Sequence, residues 1–239
     1  MARWHLCVFI LGVASVSSGC KQPAPAPSRP QAVTTRLPVA GLYHGSDTAP
    51  VTLVEFGSFS CSICRAFTVN VFSTIDSQYV HSGKVRYRYV DVSPNGLFAH
   101  GAALSECLAR SKGLPAAKRF VFDSVLPAMD PERGLAVAAR HGRASAQQMK
   151  RCAQQVMTGS TRAEERAAAE QLGVTGTPTF IIGQLNSDGR LVGWAYVGLE
   201  HPDSLNLLID EAAKTIAHSR ERGIGHALRI ALSRGKSAH

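Results

Sequence analysis

Residues 51–64 read VTLVEFGSFSCSIC, and this segment is the strongest indication of the fold in the sequence. Its first part, Val51–Phe56, is a short run rich in β-branched and aromatic residues, which predicts a strand. Cys61 and Cys64 follow as a CxxC motif, and an apolar stripe with helical spacing comes directly afterwards. The motif is therefore expected at the point where a strand ends and a helix begins.

That position has a chemical consequence for the two cysteines. The first N–H groups of a helix lack partners within the helix and carry partial positive charge, so they stabilise a thiolate. Cys61, at the helix start, is the expected nucleophile, and Cys64, one turn further in, is expected to resolve a mixed disulfide on Cys61. An inert local disulfide or half of a zinc site are the alternative interpretations of the motif.

The remaining pattern predicts an α/β domain. The helical stripe after the motif consists of Phe67, Val71, Ile75 and Tyr79. Further strands are predicted over Lys84–Val92, Thr179–Ile182 and Leu191–Val197, and a closing helix over Ser204–Ala217. An Ala-rich helical block at about 97–172 separates Lys84–Val92 from Thr179–Ile182. The order indicates an α/β sheet domain that carries a helical insertion.

A second motif precedes the third strand. Residues 173–183 read GVTGTPTFIIG and place Thr177-Pro178 directly before an apolar run. X–Pro bonds are cis in only about 5% of cases, so the dipeptide alone favours a trans bond.

Together, VTLVEFGSFSCSIC and GVTGTPTF resemble the DsbA-like branch of the thioredoxin-fold family of thiol-disulfide oxidoreductases. The resemblance covers about residues 45–217 and implies a thioredoxin fold with a helical insertion between the second and third core strands. It further implies that Pro178 is cis and lies beside the CxxC motif, and that the Thr177 backbone pairs with the substrate. An ordinary trans proline at a strand start is the alternative.

The resemblance also gives Glu55 a role. An acid at this place in the family lies beneath the CxxC motif and relays protons to the resolving cysteine. Alternation places Glu55 on the opposite face of its strand from Val54 and Phe56, and a buried carboxylate is costly unless it is paired. The alternative is that Glu55 faces solvent at a sheet edge.

Two further cysteines, Cys107 and Cys152, lie in helical segments of the insertion. With Cys61 and Cys64 they allow three pairings. Some DsbA-like relatives have a cysteine pair in the insertion, so the resemblance implies a structural disulfide between Cys107 and Cys152. Two buried free thiols, or a second redox pair, are the alternatives.

The N-terminus reads as an export signal. Leu6–Val16 is an apolar run that is too short to span a membrane, so residues 1–19 are a predicted signal peptide. The small residues before Cys20 resemble a lipobox, which predicts a lipidated Cys20; an ordinary signal-peptidase cut is the alternative. Residues 20–41 form a predicted Pro-rich tether, and 42–218 the predicted DsbA-like domain.

Composition excludes several classes of protein. The 239 residues are 45% hydrophobic and 18% charged, which is incompatible with a disordered, collagen-like or polytopic membrane chain. The net charge of +9 is partly due to a basic tail at 219–239, either a soluble extension or a segment that lies on anionic lipid. Neither a phosphate-binding glycine loop nor a nucleic-acid motif accompanies it, and a second CxxC or an HxxxH for zinc is absent from the sequence.

The sequence thus predicts a bacterial, periplasmic or otherwise extracytoplasmic thiol-disulfide oxidoreductase that needs no cofactor or metal. Its expected partners are client proteins and a membrane redox protein that recharges the CxxC site. An oxidase is favoured, although the uncharged Ser62-Ile63 replaces the Pro-His of the family's best-known oxidant and predicts a weaker one. A reductase or isomerase, and a lipid-tethered binding module with a structural CxxC, are the alternatives.

Overall fold

The structure is a computed structural model that describes residues 31–199 and 202–221 of the chain. The predicted signal peptide, the lipidation candidate Cys20, the first part of the tether and residues 222–239 of the basic tail lie outside the described residues. Within the described ranges, no helix combines the length and the apolar character needed to cross a membrane.

A six-stranded mixed sheet forms the centre of the domain. Its strands are β1 (Gln31–Arg36), β2 (Tyr43–His44), β3 (Val51–Gly57), β4 (Val85–Asp91), β5 (Thr179–Leu185) and β6 (Arg190–Val197), in the spatial order β1-β6-β5-β3-β4-β2. The central strand β3 runs parallel to β4 and antiparallel to β5. Every residue of β3 is buried, as expected for a strand that is covered on both faces.

Eight helices surround this sheet in the described residues. They are α1 (Ser62–Ala66), α2 (Phe72–Ile75), α3 (Leu97–Lys112), α4 (Leu114–Phe120), α5 (Pro131–Gly142), α6 (Ala146–Thr158), α7 (Ser160–Gln171) and α8 (Pro202–Glu221). Wider π-helical turns occupy Phe67–Val71, Asp76–Val80 and Val121–Val125. The predicted stripe after the CxxC motif is buried at all four positions, which confirms the helical periodicity.

The sheet separates two apolar clusters. Alternate residues of β3, such as Leu53, face the larger cluster, to which α1, α2, the insertion and α8 contribute. The intervening residues Val54 and Phe56 face a smaller cluster that includes Ala168 and Ala169 of α7. Helix α1 thus packs on one face of the sheet, and α7, the last helix of the insertion, packs on the other.

The helical insertion lies where the sequence predicted it. Helices α3–α7 connect β4 to β5, the second and third strands of the predicted core. The predicted α/β thioredoxin fold with a helical insertion is therefore confirmed. Cys107 on α3 and Cys152 on α6 are joined by a disulfide that spans 45 positions of sequence.

The predicted extent of the tether is wrong at its C-terminal end. Residues 31–36 form strand β1, which pairs with β6 from Gln31 opposite Ala195 to Arg36 opposite Arg190. The following residues are also fixed, because buried Arg88 donates hydrogen bonds to carbonyl oxygens at positions 38 and 40. The composition of 20–41 suggested a solvated spacer, but the partner strand lies more than 150 residues away and leaves no local signal.

Candidate active site

The sulfur of Cys61 lies at the start of α1, as the sequence predicted. Cys61 is the N-cap residue, and its Sγ accepts a hydrogen bond from the backbone N–H of Cys64 at 3.1 Å. Its side chain is partly exposed, whereas that of Cys64 is completely buried. The strand β3 ends at Gly57, so the short loop 58–60 places the Cys61 sulfur at a helix N-terminus, whose first N–H groups lack partners within the helix.

Burial makes the second cysteine a poor acid. The pKa of the Cys64 thiol is raised far above its ordinary value, first by burial, then by the negative charge of Glu55, and then by its hydrogen bond with Cys61. A backbone hydrogen bond from Ser58 opposes this rise. Since the thiolate is the attacking species, Cys64 needs a base or a neighbouring cation before it can act as a nucleophile.

The proline motif lies beside the first cysteine. The Thr177–Pro178 bond is cis, and the Cys61 thiol donates a hydrogen bond to the carbonyl oxygen of Thr177 at 3.2 Å. The Pro178 carbonyl oxygen in turn accepts a hydrogen bond from Gly198 N–H after β6. Residues 116 positions apart in the sequence are thus brought into direct contact, and the trans alternative does not hold.

Glu55 lies inside the molecule, so the solvent-facing alternative is wrong. Its Oε2 accepts hydrogen bonds from Lys118 Nζ at 2.8 Å and from the hydroxyl of Tyr87, and Lys118 also bonds the Tyr87 hydroxyl at 2.8 Å. Glu55 is 0% exposed and Lys118 only 2% exposed. The other carboxylate oxygen, Oε1, has no hydrogen-bond partner among the described residues.

This pairing accounts for how a carboxylate is tolerated on a central strand. Burying an isolated charge is costly, and the opposite charge of Lys118 offsets that cost. Lys118 Nζ also lies 4.0 Å from the centre of the Tyr89 ring, which adds a cation–π contact. The Glu55 charge remains close enough to the CxxC motif to raise the pKa of Cys64.

Sequence analysis missed Lys118 and Tyr87. Lys118 lies in LPAAKRF on α4, where a lysine is indistinguishable from an ordinary solvent-facing helical residue. Tyr87 lies on β4, where an aromatic residue is expected for packing alone. The one available signal was the unpaired acid in an apolar strand, which required a cation from somewhere in the fold.

The second cysteine pair lies apart from these contacts. The disulfide between Cys107 and Cys152 borders an open cavity within the insertion, together with Gly142 and Met149. No residue of the CxxC motif lines that cavity. In the described part of the chain, no three histidine, cysteine or acidic side chains gather in a way that could hold a metal ion.

Comparison with known families agrees with this geometry. Residues 38–192, about two thirds of the chain, match the family described as Thioredoxin. The chain belongs to the thioredoxin family. The match runs from just after β1 into β6, and it includes the CxxC motif, the insertion and the cis proline.

Two curated members with related sequences are disulfide bond formation proteins. The chain is 38% identical over 61 residues to disulfide bond formation protein D of Bacillus subtilis, which covers 26% of this chain and 28% of that protein. It is 40% identical over 47 residues to probable disulfide bond formation protein D of Bacillus cereus, covering 20% of this chain and 22% of that protein. The matched part thus spans about a quarter of these relatives' length.

Solved structures extend the likeness over the whole thioredoxin domain. Wolbachia pipientis alpha-DsbA1 aligns with a TM-score of 0.64 at 20% identity, covering 77% of this chain and 96% of that one. Oxidised BdbD of Bacillus subtilis aligns with a TM-score of 0.57 at 20% identity, covering 77% and 99%. At this level of identity, the alignments establish a DsbA-like fold.

Proposed function

We propose that the protein is an extracytoplasmic thiol-disulfide oxidoreductase that donates disulfides to client proteins through Cys61 and Cys64. The observation that carries the proposal is the position of the Cys61 sulfur. It lies on a helix N-terminus, accepts an N–H from Cys64, and touches the Thr177 carbonyl beside a cis proline. A purely structural CxxC needs neither partial exposure nor a substrate-accessible backbone next to it.

The reaction begins with the oxidised site, a Cys61–Cys64 disulfide. A client thiolate attacks Cys61 Sγ, the disulfide breaks, and Cys64 leaves as a sulfur anion that takes up a proton. A second client thiolate then attacks the client sulfur of the mixed disulfide and displaces Cys61. The client gains a disulfide and loses two electrons, and the protein gains two electrons as a free dithiol.

Glu55 and Lys118 are suited to handle the proton of Cys64. The leaving sulfur is completely buried, so bulk water does not reach it directly. The pKa of Cys64 is raised, and a sulfur that strongly prefers its proton needs a nearby group to supply it and, on reoxidation, to remove it. The Glu55–Lys118–Tyr87 cluster supplies titratable groups at that depth.

Thr177 and Pro178 are suited to hold the client backbone. The segment lies at the start of β5, and the Thr177 carbonyl faces the reactive sulfur. An extended client peptide that pairs with this backbone would have its cysteine next to Cys61. Main-chain pairing imposes little side-chain selectivity, which fits an enzyme with many clients.

The cellular setting follows from the same chemistry. The disulfide between Cys107 and Cys152 supports an oxidising compartment, as does the predicted signal peptide. A dithiol left after each turnover must be reoxidised, so a membrane redox partner is part of the proposal. A lipid-modified Cys20 would keep the domain near such a partner.

The test is oxidation of a reduced dithiol peptide by the oxidised protein. We expect stoichiometric peptide oxidation by the wild-type protein. The Cys64→Ser variant has no disulfide of its own, so it is incubated with the disulfide form of the peptide; attack by Cys61 should then give a peptide–Cys61 mixed disulfide detectable by mass spectrometry, with one peptide cysteine released as a thiol. If Cys61 reacts with neither form of the peptide, the proposed enzyme activity is wrong. The alternative of a binding module with a structural CxxC is then favoured. The equilibrium with glutathione sets the direction, because a potential near that of thioredoxin, about −270 mV, would make the protein a reductase.

A further inference from the structure

A chain of hydrogen bonds between hydroxyl groups links the CxxC loop to a buried acid on β4. Ser60 Oγ and Ser58 Oγ lie 2.7 Å apart, Ser58 Oγ donates to Ser93 Oγ at 3.2 Å, and Ser93 Oγ donates to Asp91 Oδ1 at 2.5 Å. Ser58, Ser93 and Asp91 are all buried. Burying several polar groups is costly unless each has a hydrogen-bond partner. This series of hydrogen bonds is therefore a specific structural feature of the site.

The carboxylate fixes the direction of every bond in the chain. A hydroxyl has one proton, and Ser93 gives its proton to Asp91, so Ser93 can only accept from Ser58 and from the N–H of Phe59, which lies at 2.8 Å. Ser58 gives its proton to Ser93, so Ser60 must donate to Ser58. The other oxygen of Asp91 accepts from Arg162 at 2.6 Å, which leaves the carboxylate an acceptor on both sides.

Ser58, a middle member of this series of hydrogen bonds, also contacts both cysteines through its backbone. The Ser58 carbonyl oxygen accepts the N–H of Cys61 at 3.1 Å. A backbone hydrogen bond from Ser58 also lowers the pKa of Cys64, against the effect of burial. Hydrogen bonds of this kind favour the thiolate and hence the reduced form of the site. The orientation of the Ser58 backbone therefore bears on the position of Cys61 and on the pKa of the Cys64 thiol.

Helix α7 of the insertion contacts the series of hydrogen bonds at its Asp91 end. Arg162 forms an ion pair with Asp91, and Arg166 donates to the Ser93 carbonyl oxygen at 2.8 Å. These two arginines lie one turn apart on α7, which packs on the sheet face opposite α1. The insertion thus contacts Asp91 and Ser93 at the C-terminal end of β4, and Ser93 in turn contacts the loop before Cys61.

We infer that Asp91 and Ser93 are positioning residues for the CxxC site: they orient the Ser58 peptide, and through it they set the reactivity of Cys61 and the redox equilibrium of the motif. The inference deepens the proposed function and rests on it for its biological meaning. Neither residue touches the reacting sulfurs; they act through the Ser58 hydroxyl and the adjoining Phe59 N–H, which Ser93 accepts.

The test compares Ser93→Ala with Ser105→Ala. Ser105 is a matched control because it is equally buried, and its hydroxyl has no partner among the described residues. For Ser93→Ala we expect alkylation of reduced Cys61 by iodoacetamide to slow about tenfold, as for the loss of one net hydrogen bond. We expect the glutathione equilibrium to move about tenfold toward the CxxC disulfide, or about 30 mV. Ser105→Ala should leave both unchanged.

A second variant keeps the test decisive if Ser93→Ala does not fold. Ser58→Ala interrupts the same series of hydrogen bonds next to Ser93. It should reproduce both the slower alkylation of Cys61 and the shift of the glutathione equilibrium. If both single variants fold, Ser58→Ala/Ser93→Ala should show shifts in alkylation rate and glutathione equilibrium no larger than those of either single variant. Both substitutions interrupt the same series of hydrogen bonds. The inference would be overturned if folded Ser93→Ala or Ser58→Ala kept the wild-type alkylation rate and glutathione equilibrium. Equal changes in Ser105→Ala, or additive changes in the double variant, would also overturn it.

Both measurements use the isolated protein and a small reagent. They stay valid if the wild-type protein fails to oxidise client peptides. Failure of the proposed function would appear in the peptide assay, and failure of the positioning role would appear in the alkylation rate and the glutathione equilibrium.

Discussion

The two cysteine pairs of this protein are chemically alike and structurally opposite. Cys61 and Cys64 are three positions apart, lie at a helix N-terminus, and are both free. Cys107 and Cys152 are 45 positions apart, lie within two packed helices, and are joined. Around the first pair are backbone N–H donors, an acid, a lysine and a cis proline. The second pair borders an open cavity inside the insertion.

The difference shows that reactivity is a property of the surroundings of a sulfur. In the first pair, one sulfur accepts a backbone N–H at the helix start, and the pKa of the other is raised, first by burial. The second pair joins α3 to α6 and acts on the stability of the insertion. Substitutions around the first pair should therefore change reactivity, and substitutions in the second pair should change stability.

Removal of the nucleophile should have the largest effect. We expect Cys61→Ser to lower the rate of peptide oxidation by about 1,000-fold or more, because no other described thiol is exposed at the helix start. The matched variant Cys107→Ser/Cys152→Ser should keep most of the rate. Equal losses in the two variants, measured with the same dithiol peptide, would erase the distinction between the pairs.

The acid–lysine pair should matter next. Glu55→Gln leaves Lys118 buried without its counter-charge, so we expect a loss of about 3–5 kcal/mol in the free energy of unfolding. We also expect a loss of about 100-fold in the rate of Cys61–Cys64 reoxidation.

The double variant Glu55→Gln/Lys118→Met separates the two effects. It removes both charges, so urea unfolding should return toward the wild-type value while reoxidation stays slow. Recovery of the reoxidation rate in the double variant would show that Glu55 has no role in proton transfer.

The disulfide of the insertion should contribute stability alone. In the loop-entropy model a bridge that closes 45 residues stabilises the folded state by about 4 kcal/mol. Cys107→Ala/Cys152→Ala should therefore unfold at a lower urea concentration, with an unchanged alkylation rate at Cys61. A changed Cys61 rate in the folded variant would indicate coupling between the two pairs.

The smallest and most specific prediction concerns pH. The pKa of Cys64 is raised, so its thiol stays protonated well above the pH at which a free cysteine ionises. Iodoacetamide applied to the reduced protein between pH 7 and 9 should therefore label Cys61 and leave Cys64 unmodified, as read by peptide mass mapping. Labelling of Cys64 should appear when urea unfolds the chain, and its appearance in the folded protein would contradict the assignment.

Much of this site is local and was therefore open to prediction. The strand β3, the CxxC motif and the following helix are contiguous, so their periodicity and spacing specify the strand-to-helix junction. The insertion was visible as an Ala-rich block between apolar strands. The role of Thr177-Pro178 required a resemblance, because nothing in a single X–Pro dipeptide indicates a cis bond or a distant partner.

Other features of the site depend on contacts between segments that are distant in the sequence. Strand β1 pairs with β6, Lys118 reaches Glu55 from α4, and Ser93 with Asp91 holds the CxxC loop. Such contacts join polar or small residues that look ordinary in their own segments, since a solvated lysine and a buried, paired lysine have the same sequence context. Local sequence patterns were sufficient to predict most of the helices and strands and the position of the CxxC motif between them. Burial and charge pairing, which depend on the whole fold, decided the surroundings of those sulfurs.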